Sequence, residues 1–284
     1  MKMDFRLFRV LVIVSCCLFF LTACNDDDDD DDVLRMYGTT LGAEGTSTLV
    51  LLSAQEETAG DLIRTIGDVG YRVSGLEYDR VHHKLYALTT EDDLEFPAGL
   101  IEINLDTGAG TEIGSPHGIE GHAFYTPTVC SDGELYAAGV EGAEVDYIYL
   151  AYLENHATAG IDDLMWFGSG ETGYEPEIES YLPFGLSYDP NDNLYLLNGD
   201  GDVYAIDPDT GVGTYQFAME RPAGNGDFIP TEEGIYVGID NVTRDGTYLE
   251  VVNFIADDVD PQGIMEEFPV TDVSNLHAIT FFYD

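Results

Sequence analysis

The chain has 284 residues, and its 55 Asp and Glu residues against 10 Lys and Arg give a formal net charge of −45 at pH 7. The phosphate backbone of nucleic acids repels such a chain, which argues against nucleic acid as a partner. A composition of 44% hydrophobic and 12% aromatic residues is too apolar for a disordered chain and is sufficient for a large hydrophobic core.

The first 23 residues have the layout of a secretory signal peptide. Lys2, Arg6 and Arg9 form a basic start, and an apolar run of 12 residues, 10–21, follows. A membrane-spanning helix needs about 20 apolar residues, so we expect residues 1–23 to be cleaved rather than to stay in the membrane.

The cleavage site is marked by Leu21, Thr22, Ala23 and Cys24. This sequence resembles a bacterial lipobox, at which lipoprotein signal peptidase cuts before a cysteine that carries a diacylglyceryl group. The cysteine supplies the thiol for the thioether bond, and the small residues before it fit the peptidase. The resemblance implies a bacterial lipoprotein in which acyl chains such as palmitate, attached at Cys24, bind the protein to a lipid bilayer.

Seven consecutive aspartates, residues 26–32, follow Asn25. Their mutual repulsion predicts an extended tether over residues 24–32, between the lipid and the folded domain. In enteric lipoproteins an Asp directly after the lipidated cysteine favours retention in the inner membrane. Here that residue is Asn25, so we expect the outer membrane, and whether the domain faces the periplasm or the exterior stays open.

Cysteine usage excludes an intramolecular disulfide in the mature chain. Cys16 and Cys17 leave with the signal peptide and Cys24 is lipidated, so Cys130 is the one cysteine left in the domain. Because Cys130 lies in an apolar run typical of a strand, we expect a buried and unreactive thiol.

Residues 33–284 show the pattern of an all-β domain, with short runs rich in Val, Ile, Leu, Tyr and Phe separated by Gly, Asp, Asn and Pro. Within this pattern one unit occurs in two clear copies. Each copy has two predicted strands and a later segment with an Asp-Thr-Gly turn. The copies are GLEYD (75–79), LYAL (85–88) and INLDTGAGT (103–111) in one, and GLSYD (185–189), LYLL (194–197) and IDPDTGVGT (206–214) in the other.

A weaker marker extends the repeat over the whole domain. An apolar residue followed by tyrosine, which we assign to the second strand of each unit, recurs at Tyr37, Tyr86, Tyr136, Tyr195 and Tyr236. The intervals of 49, 50, 59 and 41 residues each suit one four-stranded antiparallel blade. The sequence therefore predicts a five-bladed β-propeller.

The two ends of the domain predict how the ring closes. The N-terminal unit begins at its second strand, around residues 35–40, and continues with strands at 49–53 and 62–66. Its missing first strand is supplied by LHAITFFYD (276–284), which ends in the Tyr-Asp that closes the first strand of the two clear copies. We expect this C-terminal strand to join the N-terminal blade and so to hide the sheet edges of an open repeat.

The repeats resemble the secreted bacterial propeller repeats of the YVTN, NHL and quinoprotein-like families. The resemblance implies a propeller fold, although its motif is loose. Quinoprotein blades have a tryptophan after the Thr-Gly turn, whereas Ala109 and Val212 stand there in this chain and the only tryptophan is Trp166. This departure argues against a quinone cofactor.

In a propeller, ligands usually meet the face where loops lead into the innermost strands, and the sequence places polar side chains there. The predicted ligand-binding residues are Arg72, His122, Tyr181, Arg221, Asp227 and His277. Arg72 and Arg221 each precede an innermost strand and would bind an anionic ligand through bidentate hydrogen bonds. A simpler interpretation, in which each arginine only neutralises nearby carboxylates, stays open.

The sequence predicts no metal site, no cofactor and no catalytic residue. His122 and His277 lie at comparable points of two blades but lack an HxH or HExxH spacing. His82-His83 falls in a turn that we expect to be exposed. The motifs GxSxG, P-loop and CxxC do not occur. Calcium stays an alternative because of three acidic groups, none with the spacing of a calcium loop: Asp92, Asp93 and Glu95; Asp200 and Asp202; Asp257, Asp258 and Asp260.

These features favour a lipid-anchored propeller on the outer membrane that acts as a binding scaffold rather than as an enzyme, with a protein or a glycan as its partner. The main alternative is a calcium-assisted hydrolase of glycosides or phosphoesters, in which Asp227 or Glu179 would supply a carboxylate in the channel. A structural subunit of an envelope complex is the third interpretation.

Overall fold

The computed structural model describes residues 33–42, 45–114, 122–141, 148–154, 160–166, 183–199, 201–218, 224–231, 234–240, 246–253 and 266–283. Within these ranges every regular element is a strand, apart from one 3-10 turn at Glu56–Thr58. No helix in this part of the chain has the length and hydropathy to cross a membrane. The folded unit comprises Leu34–Asp284.

The strands form five four-stranded antiparallel sheets, the blades of a β-propeller, as the repeats predict. Blade 1 contains β1 (Leu34–Leu41), β2 (Ser47–Ser53) and β3 (Leu62–Asp68). Blade 2 contains β4 (Val73–Asp79), β5 (Lys84–Thr89), β6 (Leu100–Ile103) and β7 (Gly110–Gly114). Blade 3 contains β8 (His122–Val129), β9 (Leu135–Glu141), β10 (Ile148–Glu154) and β11 (Gly160–Trp166). Blade 4 contains β12 (Pro183–Tyr188), β13 (Leu194–Asn198), β14 (Asp202–Ile206) and β15 (Gly213–Ala218). Blade 5 contains β16 (Gly224–Phe228), β17 (Ile235–Asp240), β18 (Tyr248–Asn253) and β19 (Glu266–Pro269). The last strand, β20 (Leu276–Tyr283), completes blade 1.

The C-terminal strand closes the ring, which confirms the prediction from the two ends of the domain. β20 pairs with β1 in antiparallel register, with Tyr37 opposite Thr280 and Met36 opposite Phe281. The rings of Tyr37 and Phe282 stack with their centroids 4.2 Å apart and strengthen this seam. The innermost strands are β4, β8, β12, β16 and β20, and each contacts the next around the ring.

The register of β20 differs by two residues from the match that the sequence suggests. By sequence, the final Tyr283-Asp284 corresponds to Tyr78-Asp79 of blade 2. In the structure Thr280 and Glu77 each lie opposite the marker tyrosine of the neighbouring second strand, so these two residues are counterparts. The motif is misleading here because β20 continues past this position and pairs Tyr283 with Leu34.

Apolar side chains fill the spaces between neighbouring blades. Between blades 1 and 2, Tyr37 and Phe282 pack with Leu76 and Tyr78 in one buried cluster. Successive side chains of a strand point to opposite faces of the sheet, so each blade can bury apolar residues against both neighbours. Since Cys130 is a free thiol, the ring is held by this packing and by hydrogen bonds between the blades.

The Asp-Thr-Gly turns lie between the third and fourth strands, as the repeat predicts, and one of them meets the neighbouring blade. Gly108 has a φ of +80° and lies against Gly67 of β3. A Cβ atom at Gly108 would come within 2.7 Å of the Gly67 carbonyl oxygen. Only glycine fits this turn, because the backbone conformation and the close approach both exclude a side chain.

The propeller ring has two ends, which we call the leading end and the trailing end. The leading end is where the innermost strands begin and where the second strand of a blade connects to the third. The trailing end is where the innermost strands finish.

Candidate functional site

Five buried polar residues of the innermost strands are connected by hydrogen bonds and form what we call the inner polar ring. Each innermost strand contributes one member, and none exposes more than 5% of its surface. The members are Glu77, Thr128, Ser187, Asp227 and Thr280. Buried polar groups of this kind are stable only when they are hydrogen-bonded.

The inner polar ring connects each blade to the next. The backbone N–H of Tyr78 donates to Thr280 Oγ1 at 3.0 Å, and that of Val129 donates to Glu77 Oε1 at 3.2 Å. Tyr188 N–H donates to Thr128 Oγ1 at 3.2 Å in the same way. In each case the donor is the residue that follows the ring member of the next blade.

Asp227 makes the two remaining connections. Ser187 Oγ donates to Asp227 Oδ1 at 2.8 Å, which joins blades 4 and 5. Asp227 Oδ2 accepts hydrogen bonds from Thr280 Oγ1 at 2.9 Å and from Phe281 N–H at 3.2 Å, which joins blades 5 and 1. Phe228 N–H donates to Oδ1 at 2.7 Å. Both carboxylate oxygens of this predicted ligand-binding residue are therefore engaged in holding three blades together.

A second carboxyl group, that of Glu77, lies buried near Asp227. Burial raises the pKa of Glu77 well above its ordinary value, and the charge of Asp227 raises it further. The nearby guanidinium of Arg80 and the Val129 N–H act in the opposite direction. The balance raises the pKa of Glu77, so this carboxyl group takes up a proton at a higher pH than an exposed glutamate would.

Arg80 is a functional candidate that the sequence reasoning missed. It lies in the turn after β4, and its Nη2 approaches Asp227 Oδ2 of blade 5 to 3.6 Å. Its side chain is 38% exposed, so the guanidinium reaches from the surface of the trailing end toward the buried ring. The signal for it was the difference between the two copies, because Pro190 of blade 4 stands where blade 2 has Arg80.

At the leading end the structure brings together two predicted site residues, Arg72 and His277. Arg72 directly precedes β4, and His277 is the second residue of β20. Burial lowers the pKa of His277, and the positive charge of Arg72 lowers it further. Within the described residues, the buried Nε2 of His277 has no hydrogen-bond partner.

Arg72 is bound to a loop of its own blade. Its Nη1 donates to Asp92 Oδ2 at 2.6 Å, and its backbone N–H donates to Asp93 Oδ2 at 2.6 Å. The Arg72 and Asp92 side chains are 41% and 63% exposed, so this ion pair is accessible to solvent. The geometry agrees with the simpler interpretation of Arg72, in which it neutralises a neighbouring carboxylate.

The other predicted ligand-binding residues are only partly described. His122 is the first residue of β8, but its side chain lies outside the described residues. Tyr181 and Arg221 lie outside them too, as do Glu179 and the segment that contains Cys24. Of the acidic groups considered for calcium, Asp200, Asp257, Asp258 and Asp260 also lie outside.

The paired histidines lie in an exposed turn, as predicted. His82 Nδ1 and Asp79 Oδ2 are 2.6 Å apart, and His83 Nδ1 lies 3.3 Å from the Tyr78 hydroxyl. Asp79 is fully buried, and its Oδ1 accepts hydrogen bonds from the backbone of Val81 and His82. The carboxylate thus fixes the turn at the trailing end of β4.

Cys130 departs from the expectation of a buried strand residue. It follows β8 directly and is half-buried, because the strand ends at Val129. Its Sγ donates to Asp132 Oδ1 at 2.6 Å, and burial together with this bond raises the pKa of the thiol to about 12. With Asp132 and Glu134 it forms the one three-residue cluster of metal-ligand type among the described residues. A protonated thiol is a poor ligand and a poor nucleophile, so the expected lack of reactivity still follows.

A polar groove of about 830 Å³ lies between blades 2 and 3. Lys84 Nζ in this groove donates to Glu102 Oε2 at 2.7 Å. Glu134 accepts hydrogen bonds from the hydroxyls of Tyr136 and Tyr152 at 3.1 and 3.4 Å. Its wall is thus already organised by contacts within the protein.

Comparison with known proteins shows the fold and no more. No protein-family model and no curated protein matches the sequence. TolB from Acinetobacter baumannii is similar in structure, with a TM-score of 0.54 at 11% identity over 95% of this chain and 71% of that one. A gluconolactonase from Xanthomonas campestris gives a TM-score of 0.48 at 13% identity over 86% and 78% of the two chains. A Bacteroides caccae protein of unknown function gives a TM-score of 0.44 at 9% identity over 88% of this chain and 99% of that one. The class of protein that the fold defines is the β-propeller.

Proposed function

We propose that the protein is a membrane-anchored bacterial lipoprotein whose propeller acts as a binding scaffold. The lipobox at residues 21–24 and the acidic run that follows it support the anchor. A fully extended segment spans at most about 3.6 Å per residue, so a tether of nine residues, 24–32, keeps the propeller within about 30 Å of the bilayer. In this proposal the bilayer is that of the outer membrane.

The observation that carries the scaffold proposal is the engagement of Asp227. In the hydrolase alternative Asp227 would supply a carboxylate for catalysis. In the structure its two carboxylate oxygens accept hydrogen bonds from Ser187, Phe228, Thr280 and Phe281. A substrate or a cation at Asp227 would have to displace bonds that join three blades. The interior is therefore better suited to rigidity than to turnover, and binding falls to the surface of the ring.

The calcium-assisted hydrolase gains no support from Asp92 and Asp93. Asp93 Oδ1 accepts hydrogen bonds from the backbone of Glu95 and Phe96, and its Oδ2 accepts one from Arg72 N–H. Asp92 is paired with Arg72. The carboxylates of Asp92 and Asp93 thus shape a loop, and the scaffold is the function that the geometry supports best.

The anchor is tested by replacing its cysteine. We expect Cys24→Ala in the full chain to move the protein from the membrane fraction to the soluble fraction and to abolish labelling by a palmitate analogue. Cys130→Ala is the matched control, since that thiol lies in the propeller, and it should leave both readouts unchanged. Membrane association of Cys24→Ala equal to that of the wild type would refute the anchor.

A further inference from the structure

One apolar side chain at the leading end is exposed far more than any other among the described residues. Leu94, in the loop of residues 90–99 that joins β5 to β6, is 97% exposed. The next large hydrophobic side chains, Tyr215 and Val81, are 55% and 47% exposed. Each Å² of apolar surface withdrawn from water contributes about 25 cal/mol, so covering Leu94 is favourable for any partner with a matching cavity.

The exposure of Leu94 does not come from a loosely held loop. Asp93, directly before Leu94, accepts at its Oδ1 hydrogen bonds from the two residues after Leu94, Glu95 N–H at 2.9 Å and Phe96 N–H at 2.8 Å. Asp93 N–H and Ala98 N–H both donate to the Thr90 carbonyl, at 3.1 and 3.0 Å. These bonds close the loop at its base and at its tip.

The loop is also attached to the rest of the ring. Phe96 packs edge to face against Tyr71, with the ring centroids 6.2 Å apart, and lies against the core between blades 1 and 2. The Tyr125 hydroxyl of blade 3 donates to Glu91 Oε2 at 3.2 Å. Because the loop backbone is already ordered, binding through Leu94 costs little backbone conformational entropy.

Charge indicates which kind of surface would accept Leu94. The loop carries four carboxylates, Glu91, Asp92, Asp93 and Glu95, against the single nearby guanidinium of Arg72. A partner must therefore offer a cavity for the leucine and basic residues around it, because complementary charge favours encounter and excludes acidic surfaces. An aliphatic side chain at the centre of the contact fits an apolar protein pocket better than a glycan.

We propose that the loop of residues 90–99 is a docking element that inserts Leu94 into an apolar pocket with a basic rim on a protein partner. This inference rests on the proposed scaffold function and names the surface and the partner that the scaffold uses. The acidic neighbours of Leu94 set the orientation and the association rate, and the leucine supplies most of the affinity.

The test uses a photo-crosslinking residue placed at position 94 of the full chain in the source bacterium, with the same residue at position 81 as the matched control. Val81 is exposed, but it lies in the turn after β4 at the trailing end. We expect a protein crosslinked from position 94 and not from position 81, whose crosslinked peptide contains an apolar pocket residue next to Lys or Arg. Crosslinking at 94 no stronger than at 81, or a contact peptide rich in Asp and Glu, overturns the docking element.

The contribution of the leucine is then measured by the affinity of the propeller protein for the partner that crosslinking identifies, purified without the crosslink. Leu94→Ser should weaken binding by about tenfold or more, since burying a leucine side chain contributes about 1.5–3 kcal/mol. Val81→Ser should not change binding, and Glu95→Gln should weaken it less and reduce its sensitivity to NaCl. Unchanged binding of Leu94→Ser overturns the docking element. Membrane fractionation of the same variant tests the anchor separately, so this outcome does not affect the anchor or a scaffold role at another surface.

Discussion

Blades 2 and 4 are close copies at the trailing end and differ at the leading end. Asp79 and Asp189 are both buried, and each accepts hydrogen bonds from the backbone of the turn that follows. At the leading end, ten residues, 90–99, connect the second and third strands of blade 2, whereas three residues, 199–201, make that connection in blade 4. In these two blades the turn carboxylate is shared at the trailing end, and the difference in loop length lies at the leading end.

If the propeller is a binding scaffold, as we propose, this difference favours the leading end as its binding face for a physical reason. The carboxylates of Asp79 and Asp189 each accept two backbone hydrogen bonds at the trailing end, so replacing either residue leaves those N–H groups without their acceptor. A connecting loop at the leading end can lengthen at a small entropic cost. Such a loop can present a side chain like Leu94 without disturbing the strands below it.

The largest expected effect on stability concerns Asp227, the residue of the inner polar ring that joins three blades. We expect Asp227→Ala to lower the free energy of unfolding by about 3–5 kcal/mol, because it leaves four buried donors unpaired and removes the partner of Arg80. Urea unfolding followed by circular dichroism measures this loss. Glu266→Ala, at an exposed carboxylate of β19, should change the value by less than about 0.5 kcal/mol. Equal losses in the two variants would contradict a role for the inner polar ring.

The next effect compares the two ends directly. Asp79→Ala should cost about 2 kcal/mol, because a fully buried carboxylate with two backbone donors is removed. Asp93→Ala at the leading end should cost about 1 kcal/mol, since its site is only partly buried and water can replace the lost acceptor. If Asp93→Ala proved the more damaging, the leading end would belong to the framework. Thermal and urea unfolding of both variants decide between these outcomes.

A third effect follows from the raised pKa of Glu77. The folded-state pKa lies above the ordinary value of 4.5, so the stability that depends on protonated Glu77 is fully present below that value. It is lost as the pH rises through the folded-state pKa. We expect the wild type to lose stability over this rise, and Glu77→Gln, which stays neutral, to lose less. Parallel curves of unfolding free energy against pH for the two proteins would show that Glu77 is charged in the fold.

The number of blades and the closure of the ring were predictable from the sequence because they depend on features that repeat. The marker tyrosines recur along the whole domain, and they lie in the second strands as assigned. The strand missing at one end was present at the other, and β20 pairs with β1.

The inner polar ring was not predictable, because its five members are of four residue types, Glu, Thr, Ser, Asp and Thr, and form no repeated motif. Their equivalence depends on register, and bulges alter the register in several blades. In blade 5 the irregularity between Gly224 and Asp227 puts Asp227 opposite Val237 rather than opposite the marker Tyr236. Arg80 was missed for a related reason: its difference from Pro190 marks the position, but its partner Asp227 lies three blades further along the chain, so the sequence does not indicate the contact.

The smallest expected effect concerns the pKa of His277, which lies at the leading end with Arg72. His277 has a lowered pKa, first because of its burial and second because of the charge of Arg72, so it is neutral in the fold at pH 7. Stability linked to neutral His277 is present above the ordinary value of 6.5 and is lost as the pH falls through the folded-state pKa.

Removing the charge of Arg72 should raise this pKa toward 6.5, because only the burial contribution remains. We expect the imidazole resonance of His277, assigned with His277→Gln, to titrate at a higher pH in Arg72→Gln than in the wild type. Arg64→Gln, at an exposed arginine of β3, is the matched control and should leave the midpoint where it is. If Arg72→Gln and Arg64→Gln titrate alike, the two side chains at the leading end do not share a site. Arg72 would then act only on the loop of residues 90–99, through Asp92 and Asp93.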